Sequence, residues 1–248
     1  MLEQSDPNVQ FADLKEEVEK MTSKLSRLPS GIPGLDSMME GGFPFPSTNL
    51  VAGSAGTGKT TFALQFLSQG ARDGEQGLFF TTLSEPTQWM LRFVSGFEFI
   101  DKDTFGKEIQ YVELGTFLRG ERDPERILDF IEDHITEVMP QRIVIDPVTV
   151  LGELLEDNYR AFLYDLTTRL KNWQSTTILT GEVLPNQPYP VEVSYIVDGI
   201  LVLSYEIAPE GGRRKYLEIL KMRGTNHMTG KHLVDISVKG FTVQPGLR

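Results

Sequence analysis

The stretch from Gly53 to Thr61, GSAGTGKTT, combines small residues with a lysine and two threonines, directly after an apolar run at 50–52. It matches G-x-x-x-x-G-K-[S/T] at every fixed position. Glycines let backbone N–H groups approach a phosphate chain without interference from a Cβ atom, and a helix that begins near Gly58 points its positive end there. The predicted phosphate-binding residues are Gly53, Ser54, Ala55, Gly56, Thr57, Gly58, Lys59, Thr60 and Thr61.

Two residues of the motif and one distant carboxylate predict an ATP site that uses Mg²⁺. Lys59 is expected to contact the β- and γ-phosphates, and Thr60 to offer its hydroxyl to the ion. Asp146 ends the apolar run RIVID at 142–146, where a carboxylate suits a water-mediated contact to the same ion. The predicted cofactors are therefore ATP and Mg²⁺, with Thr60 and Asp146 as the metal residues.

Hydrolysis also needs a group that orients water, and Glu85 in the stretch TTLSEP is the candidate. It follows a predicted strand, at the edge where an open α/β sheet places its ligands. Glu85 is a candidate general base for the attacking water. The alternative is an acidic residue at a helix N-terminus, which the helix dipole favours by itself. The spacing does not decide between the two.

Strand-like and helical patterns alternate along the chain after Pro29 and predict one α/β domain. Strands are expected near Thr48–Gly53, Gly77–Thr82, Gln110–Leu114, Arg142–Asp146 and Thr176–Thr180. Helices are expected at Lys59–Gln69, Thr87–Ser95, Pro124–Val138 and Asn158–Trp173. This order indicates a mainly parallel sheet with helices on both faces. Strand patterns at Gly199–Tyr205, Arg214–Met222 and His232–Ser237, joined by turns, predict an antiparallel extension at one edge.

The N-terminal segment forms a separate pattern. Residues 8–27 carry apolar side chains every three or four positions, which predicts an amphipathic helix that ends at Pro29. This helix is expected to dock on the main domain or, alternatively, to pair with a partner helix. The predicted division is an arm over 1–28 and a P-loop ATPase domain over 29–248.

The amino-acid composition disfavours some classes of binding partner and excludes some kinds of chemical site. Lys and Arg number 24 against 35 Asp and Glu, and the net charge of −11 disfavours nucleic acid and anionic membranes. The chain has no cysteine, which excludes disulfides, thiolate metal sites and cysteine nucleophiles. The polar N-terminus does not resemble a signal peptide, and no apolar run approaches the ~20 residues of a membrane span. We expect a cytoplasmic protein.

From Leu28 to about Gly240, the chain resembles a single KaiC-type domain of the RecA-fold ATPases. The segment SGIPGLDSMMEGGFP before the P-loop and the stretch YLEILKMRGTNHMTGKHLVDISVKG near the end carry the resemblance. The resemblance implies that Lys221 and Arg223 touch the γ-phosphate bound by a neighbouring subunit, with His227 nearby. It therefore implies a homo-oligomeric ring, with a hexamer as the expected form. The residues alone indicate only a basic cluster after a strand.

Two departures from the family pattern bear on activity. The family usually has two adjacent glutamates after the second strand, where this chain has Ser84 and Glu85, so the resemblance implies slow hydrolysis. The family's autophosphorylated Ser-Thr pair corresponds here to Ser194 and Tyr195, which argues against self-kinase activity.

Three functional hypotheses follow. The first is an oligomeric ATPase whose slow hydrolysis times or switches an interaction with an unidentified regulatory protein. The second is a nucleotide-gated assembly module with little turnover, which Ser84 favours. The third is a RecA- or RadA-like recombination accessory protein, against which the acidic balance and the absence of a basic stretch with interleaved aromatics count.

Overall fold

A nine-stranded sheet runs through the part of the chain that the computed structural model describes, which is residues 26–83, 86–183, 187–208 and 211–246. In chain order the strands are β1 Arg27–Leu28, β2 Phe43–Pro44, β3 Thr48–Gly53, β4 Gly77–Thr81, β5 Ile109–Val112, β6 Arg142–Asp146, β7 Thr176–Glu182, β8 Gly199–Ile207, β9 Arg213–Met222, β10 Lys231–Ser237 and β11 Gly240–Gln244. The α-helices are α1 Lys59–Arg72, α2 Thr87–Val94, α3 Leu114–Leu118, α4 Pro124–Val138, α5 Val150–Leu155, α6 Tyr159–Asn172 and α7 Val191–Ser194. Short 3-10 helices cover Asp36–Met39, Lys102–Thr104 and Glu156–Asn158.

The strand order of the large sheet is β11-β10-β9-β8-β3-β7-β6-β4-β5, and β1 pairs separately with β2. The six strands from β8 to β5 are parallel, whereas β9, β10 and β11 join by antiparallel pairing. All six parallel strands therefore end at one edge of the sheet, which we call the carboxyl edge. Their starts define the opposite, amino edge.

Two apolar cores lie on the two faces of the sheet, because successive side chains of a strand point to opposite faces. On one face, Val51 of β3 and Phe79 of β4 pack with α1 and with the 28–43 segment. On the other face, their neighbours Leu50 and Phe80 pack with α4 and α6. Strands buried on both faces read as continuous apolar runs, which is the pattern of the central strands here.

The predicted fold class, an α/β sheet with an antiparallel extension, is confirmed. The predicted elements agree with the structure to within a few residues, and the extension has one more strand, β11, than predicted. The helix predicted over 8–27 lies outside the described residues except at its end. That end is wrong, because Arg27 pairs with Pro44 in a strand. The division into an arm and a domain stays a prediction.

Arg142, at the start of β6, connects three parts of the fold and is fully buried. Its guanidinium forms an ion pair with Glu75 and donates to the carbonyl oxygens of Pro29, at 2.7 Å, and Phe66, at 2.9 Å. Burial lowers the pKa of Arg142, and the hydrogen bond and charge of Glu75 oppose that shift. This side chain therefore ties the segment before the P-loop to α1 and β6.

We expect Arg142→Leu to lower the free energy of unfolding by about 3 kcal/mol, since removing one partner of a buried ion pair leaves the other groups unsatisfied. Arg169→Leu is the matched control, because Arg169 forms ion pairs with Glu125, Asp129 and Glu132 at the surface. The control should change stability by less than about 1 kcal/mol. Denaturant unfolding measures both, and equal losses would contradict the role given to Arg142.

Candidate nucleotide site

The loop between β3 and α1 presents a helix N-terminus that has no side-chain cap. Gly58 is the N-cap residue at φ 105°, where L side chains are strained, and α1 has no side-chain hydrogen bond at this end. The first backbone N–H of α1 with an intrahelical partner is that of Phe62, which donates to the Gly58 carbonyl at 2.9 Å. The N–H groups at 59–61 have no acceptor within the helix, and this is the arrangement that binds phosphate.

A cavity of about 350 Å³ lies beside this loop, at the carboxyl edge. It is bounded by the P-loop, by residues at the ends of β4, β6 and β7 or just after them, and by Met90 of α2. Its lining consists of Ala55, Gly56, Gly58, Lys59, Thr60, Thr61, Thr81, Leu83, Met90, Asp146, Pro147 and Glu182. The structure thus brings together most of the predicted P-loop residues and the predicted metal residues.

The Lys59 ammonium is buried and is held by three acceptors. It lies 2.8 Å from the Gly53 carbonyl oxygen, 3.1 Å from that of Ser54 and 2.8 Å from Oε1 of Glu182. Glu182 ends β7 opposite Gly53. Its carboxylate and a bound phosphate would compete for the same ammonium.

The two predicted metal residues are in direct contact. The Thr60 hydroxyl donates to Oδ2 of Asp146 at 2.7 Å, and the Thr180 hydroxyl donates to Oδ1 of the same carboxylate. Burial raises the pKa of Asp146, and the hydrogen bonds from Thr180 and Thr60 oppose that shift. A hydroxyl and a carboxylate beside a phosphate cradle are the oxygen ligands that Mg²⁺ takes, so these residues fit the ion. Thr180 was not singled out in the sequence.

Glu85 and Ser84 lie outside the described residues, but both flanks of this pair are placed. On one side, the Thr82 hydroxyl donates to the Pro147 carbonyl at 2.8 Å. On the other side, the backbone N–H of Thr87 donates to Oε1 of Glu113 at 3.0 Å. Each flank is therefore held next to the end of a neighbouring strand, and Leu83, directly before the pair, lines the cavity.

Arg223 lies at the amino edge, away from the P-loop of its own chain. It follows Met222, which pairs with Gly199, and Gly199 pairs with Asn49 near the start of β3. The P-loop begins at the other end of β3, at Gly53. At ~3.3 Å per residue, the two ends of this strand are roughly 17 Å apart. One chain therefore does not bring Arg223 to its own phosphate site.

Asp198, just before β8, anchors this basic cluster. Its Oδ1 accepts from Lys171 at 3.0 Å and from Arg223 at 3.2 Å, while Oδ2 accepts from the backbone N–H of Thr48 at 3.0 Å. The backbone N–H of Arg223 also donates to the Asp198 carbonyl at 3.0 Å. Neither Asp198 nor Lys171 was identified from the sequence, because both are far along the chain from Arg223.

The other two predicted residues of the cluster lie close by. The Lys221 ammonium donates to the carbonyl oxygens of Ser194, at 3.2 Å, and Val197, at 2.6 Å. Burial lowers the pKa of Lys221, and the positive charge of Arg223 lowers it further. Nδ1 of His227 lies 3.4 Å from the Thr225 carbonyl oxygen. The structure thus groups Lys221, Arg223 and His227 at one edge and the P-loop at the other.

A family model described as "ATPase: KaiC" matches residues 28–248, which is most of the chain. The chain belongs to the KaiC family of ATPases. The predicted family and its RecA-like fold are confirmed.

Individual relatives agree with this membership of the KaiC family. A crystal structure of a KaiC-like protein from the hyperthermophilic archaeon Pyrococcus horikoshii has a TM-score of 0.79 and 33% sequence identity, covering 90% of this chain and 100% of that one. The circadian clock protein KaiC3 of Synechocystis is 30% identical over 243 residues, which are 92% of this chain and 47% of the relative. The circadian clock oscillator protein KaiC of Parathermosynechococcus lividus is 32% identical, over 90% of this chain and 44% of the relative. The chain thus spans less than half the length of these two clock proteins.

The sequence contains no apolar run that approaches the length of a membrane span, and the lengths and hydropathy of the helices can be compared with this prediction. Within the described ranges, no helix is both long enough and apolar enough to span a bilayer.

Proposed function

We propose that this KaiC-family domain binds ATP with Mg²⁺ and hydrolyses it slowly at interfaces between copies of itself. The observation that supports this most strongly is the separation within one chain of the P-loop, at the carboxyl edge, from Arg223, at the amino edge. Each chain therefore carries the P-loop half of one site at its carboxyl edge and the Arg223 half of another site at its amino edge. Head-to-tail contact between copies would complete a site at every interface.

A head-to-tail interface joins different surfaces of its two partners, so repeating it gives a closed ring when the rotation closes. A ring of six subunits is the expected form, as the family resemblance implies. Light scattering with and without ATP and Mg²⁺ measures the assembly directly. A mass that stays that of a single chain in the presence of both would contradict the proposal.

Within such a site, each group has a role. The backbone N–H groups at 59–61 and the Lys59 ammonium bind the phosphates. Thr60 and Asp146 hold Mg²⁺, which would neutralise charge on the phosphate oxygens. Glu85 accepts the proton of the attacking water. Arg223 and Lys221 of the neighbouring copy balance the charge that develops on the γ-phosphoryl oxygens, with His227 beside them.

Slow turnover is proposed because Ser84 stands where a glutamate would precede Glu85. Slow hydrolysis suits a protein whose nucleotide state times or switches an interaction with a regulatory protein, which the chain does not identify. Steady-state phosphate release measures the rate. A release rate equal to that of a Lys59→Ala variant would replace this proposal with the nucleotide-gated assembly module.

We expect ATP with Mg²⁺ to raise the thermal stability of the protein, because a ligand that binds only the folded state stabilises it. At about 100 times its Kd, the nucleotide should add about 2.7 kcal/mol. Lys59→Ala should remove most of this gain, since its ammonium offsets charge on the phosphates. Lys231→Ala is the control, because Lys231 forms an exposed ion pair with Glu206 in the antiparallel extension. Thermal denaturation measures both, and an unchanged ATP-induced shift in Lys59→Ala would contradict the P-loop assignment.

A further inference from the structure

A tight turn carries Arg223 at the amino edge. The backbone N–H of Thr225 donates to the Met222 carbonyl at 3.3 Å, which closes a four-residue turn with Arg223 and Gly224 at its centre. Gly224 has φ 65°, a conformation that glycine adopts without strain. Asp198 holds the Arg223 side of this turn, as described above. The position of this turn therefore sets where the Arg223 side chain projects from the surface.

Arg27, in β1, holds the other side of the same turn. One guanidinium nitrogen donates to the Thr225 hydroxyl at 2.6 Å, and the other donates to the Gly224 carbonyl at 3.3 Å. The second nitrogen also donates to Oε2 of Glu40 at 2.9 Å. The Arg27 side chain is only 14% exposed, although it lies next to an exposed turn. The planar guanidinium thus bridges Gly224, Thr225 and Glu40.

The backbone of Arg27 is fixed as well, since Arg27 pairs with Pro44 in β2. β2 leads within four residues into the start of β3, at the amino edge. Arg27 therefore shares an edge with Arg223 and lies away from the P-loop of its own chain. Its hydrogen bonds to Thr225 and Gly224 couple Arg27 to the turn that carries Arg223.

We propose that Arg27 is a positioning residue that holds the turn of Arg223 in the geometry needed to reach the nucleotide of the neighbouring copy. This inference rests on the proposed function, because it requires Arg223 to act in trans. A misplacement of about 1 Å can cost a phosphoryl-transfer site up to ~10²-fold in rate. Arg27→Ala should therefore lower kcat by about ten- to a hundredfold, with the ATP-induced thermal shift unchanged.

Mixed assemblies test whether Arg27 belongs with Arg223 or with the P-loop. After subunit exchange, Arg27→Ala mixed with Glu85→Gln should regain about a quarter of the parent activity, because an intact Glu85 then meets an intact turn at one interface in four. Arg27→Ala mixed with Arg223→Ala should regain none, since both changes damage the same half of the site. The reverse pattern would overturn the proposal and place Arg27 with its own nucleotide.

Two controls distinguish a failure of the proposed function from a failure of the positioning role alone. Arg223→Ala mixed with Glu85→Gln tests the trans site alone, and no recovery there would overturn the proposed function and the positioning role together. Recovery there, combined with parent-like kcat for Arg27→Ala, would overturn the positioning role only. Thr225→Val removes one acceptor of Arg27 while keeping the side-chain shape, and it serves if Arg27→Ala does not fold. It should fall in the same complementation group as Arg223→Ala, and recovery of the Thr225→Val and Arg223→Ala mixture would contradict the proposal.

Discussion

Arg223→Ala should lower kcat of the assembled protein by about 10³–10⁵-fold, which is the contribution of an arginine that reaches the γ-phosphoryl group in other phosphoryl-transfer enzymes. Arg223 is 56% exposed and projects from the amino edge, so it is accessible to a neighbouring copy. The ATP-induced thermal shift should change little, because the P-loop lies at the other edge. Steady-state phosphate release measures the loss.

Asp198, which anchors Arg223, is suited to an arginine that reaches the phosphate of a neighbouring copy. Asp198 accepts from both Arg223 and Lys171, so Lys171 still compensates the Asp198 carboxylate when the Arg223 guanidinium turns toward a phosphate. Arg223→Lys should recover only part of the activity, since a lysine cannot form the two parallel hydrogen bonds of a guanidinium. Arg126→Ala is the control and should keep the parent rate, because Arg126 is an exposed residue of α4 that pairs with Glu121 just before the helix. A parent-like kcat in Arg223→Ala would contradict the assignment.

Glu85→Gln should lower the rate of hydrolysis by about 10²–10⁴-fold, which is the typical contribution of a correctly placed general base. The amide keeps the size of the side chain but cannot accept the proton of the attacking water. ATP binding should persist, since Lys59 and the P-loop backbone are unchanged, and the thermal shift checks this. Single-turnover hydrolysis, with the protein in excess over ATP, measures the chemical step.

Ser84→Glu is the companion variant, because it would create the pair of adjacent glutamates that the family resemblance implies at this position. It should raise the rate if water activation limits turnover. Glu85→Gln that hydrolyses ATP at the parent rate would show that Glu85 is only an acidic residue near the start of α2. Glu113→Gln is the comparison variant for Glu85→Gln. Glu113 is a nearby carboxylate that accepts from the backbone N–H of Thr87 but does not line the cavity.

The parts of the fold and site that are local in sequence could be predicted. The P-loop is a contiguous motif whose flanking strand and helix are both visible as apolar patterns, and the structure places it between β3 and α1. The parallel sheet followed from the alternation of strands and helices. Asp146 could be paired with Thr60 because a P-loop needs a carboxylate for its metal ion and Asp146 ends an apolar strand.

The contacts that the sequence did not reveal join residues far apart along the chain. Arg27 contacts Thr225 across 198 positions, whereas Thr60 and Asp146, separated by 86, could be paired only because the P-loop motif requires a carboxylate for its metal ion. Without a motif such as the P-loop to suggest it, a pair like Arg27 and Thr225 has no local signal. The ion pair of Lys59 with Glu182 depends on the register of β3 against β7, which a single sequence does not fix.

The strand β11 was missed for a different reason. Its five residues, GFTVQ, follow a two-residue turn after β10, and the run is too short to stand out by periodicity. The opposite placement of Arg223 and the P-loop was also invisible in the sequence, since it follows from the antiparallel direction of β9. The resemblance suggested that Arg223 acts in trans, and the topology supplies a physical reason for it.

The shared site is tested most directly by mixing two inactive variants, Arg223→Ala and Glu85→Gln. After subunit exchange, an intact Glu85 on one copy faces an intact Arg223 on the next at one interface in four, for random equal mixing. We therefore expect about a quarter of the parent rate of phosphate release to return. If exchange is confirmed by mass and no activity returns, the site is not shared between copies, and the loss of activity in Arg223→Ala arises within its own chain.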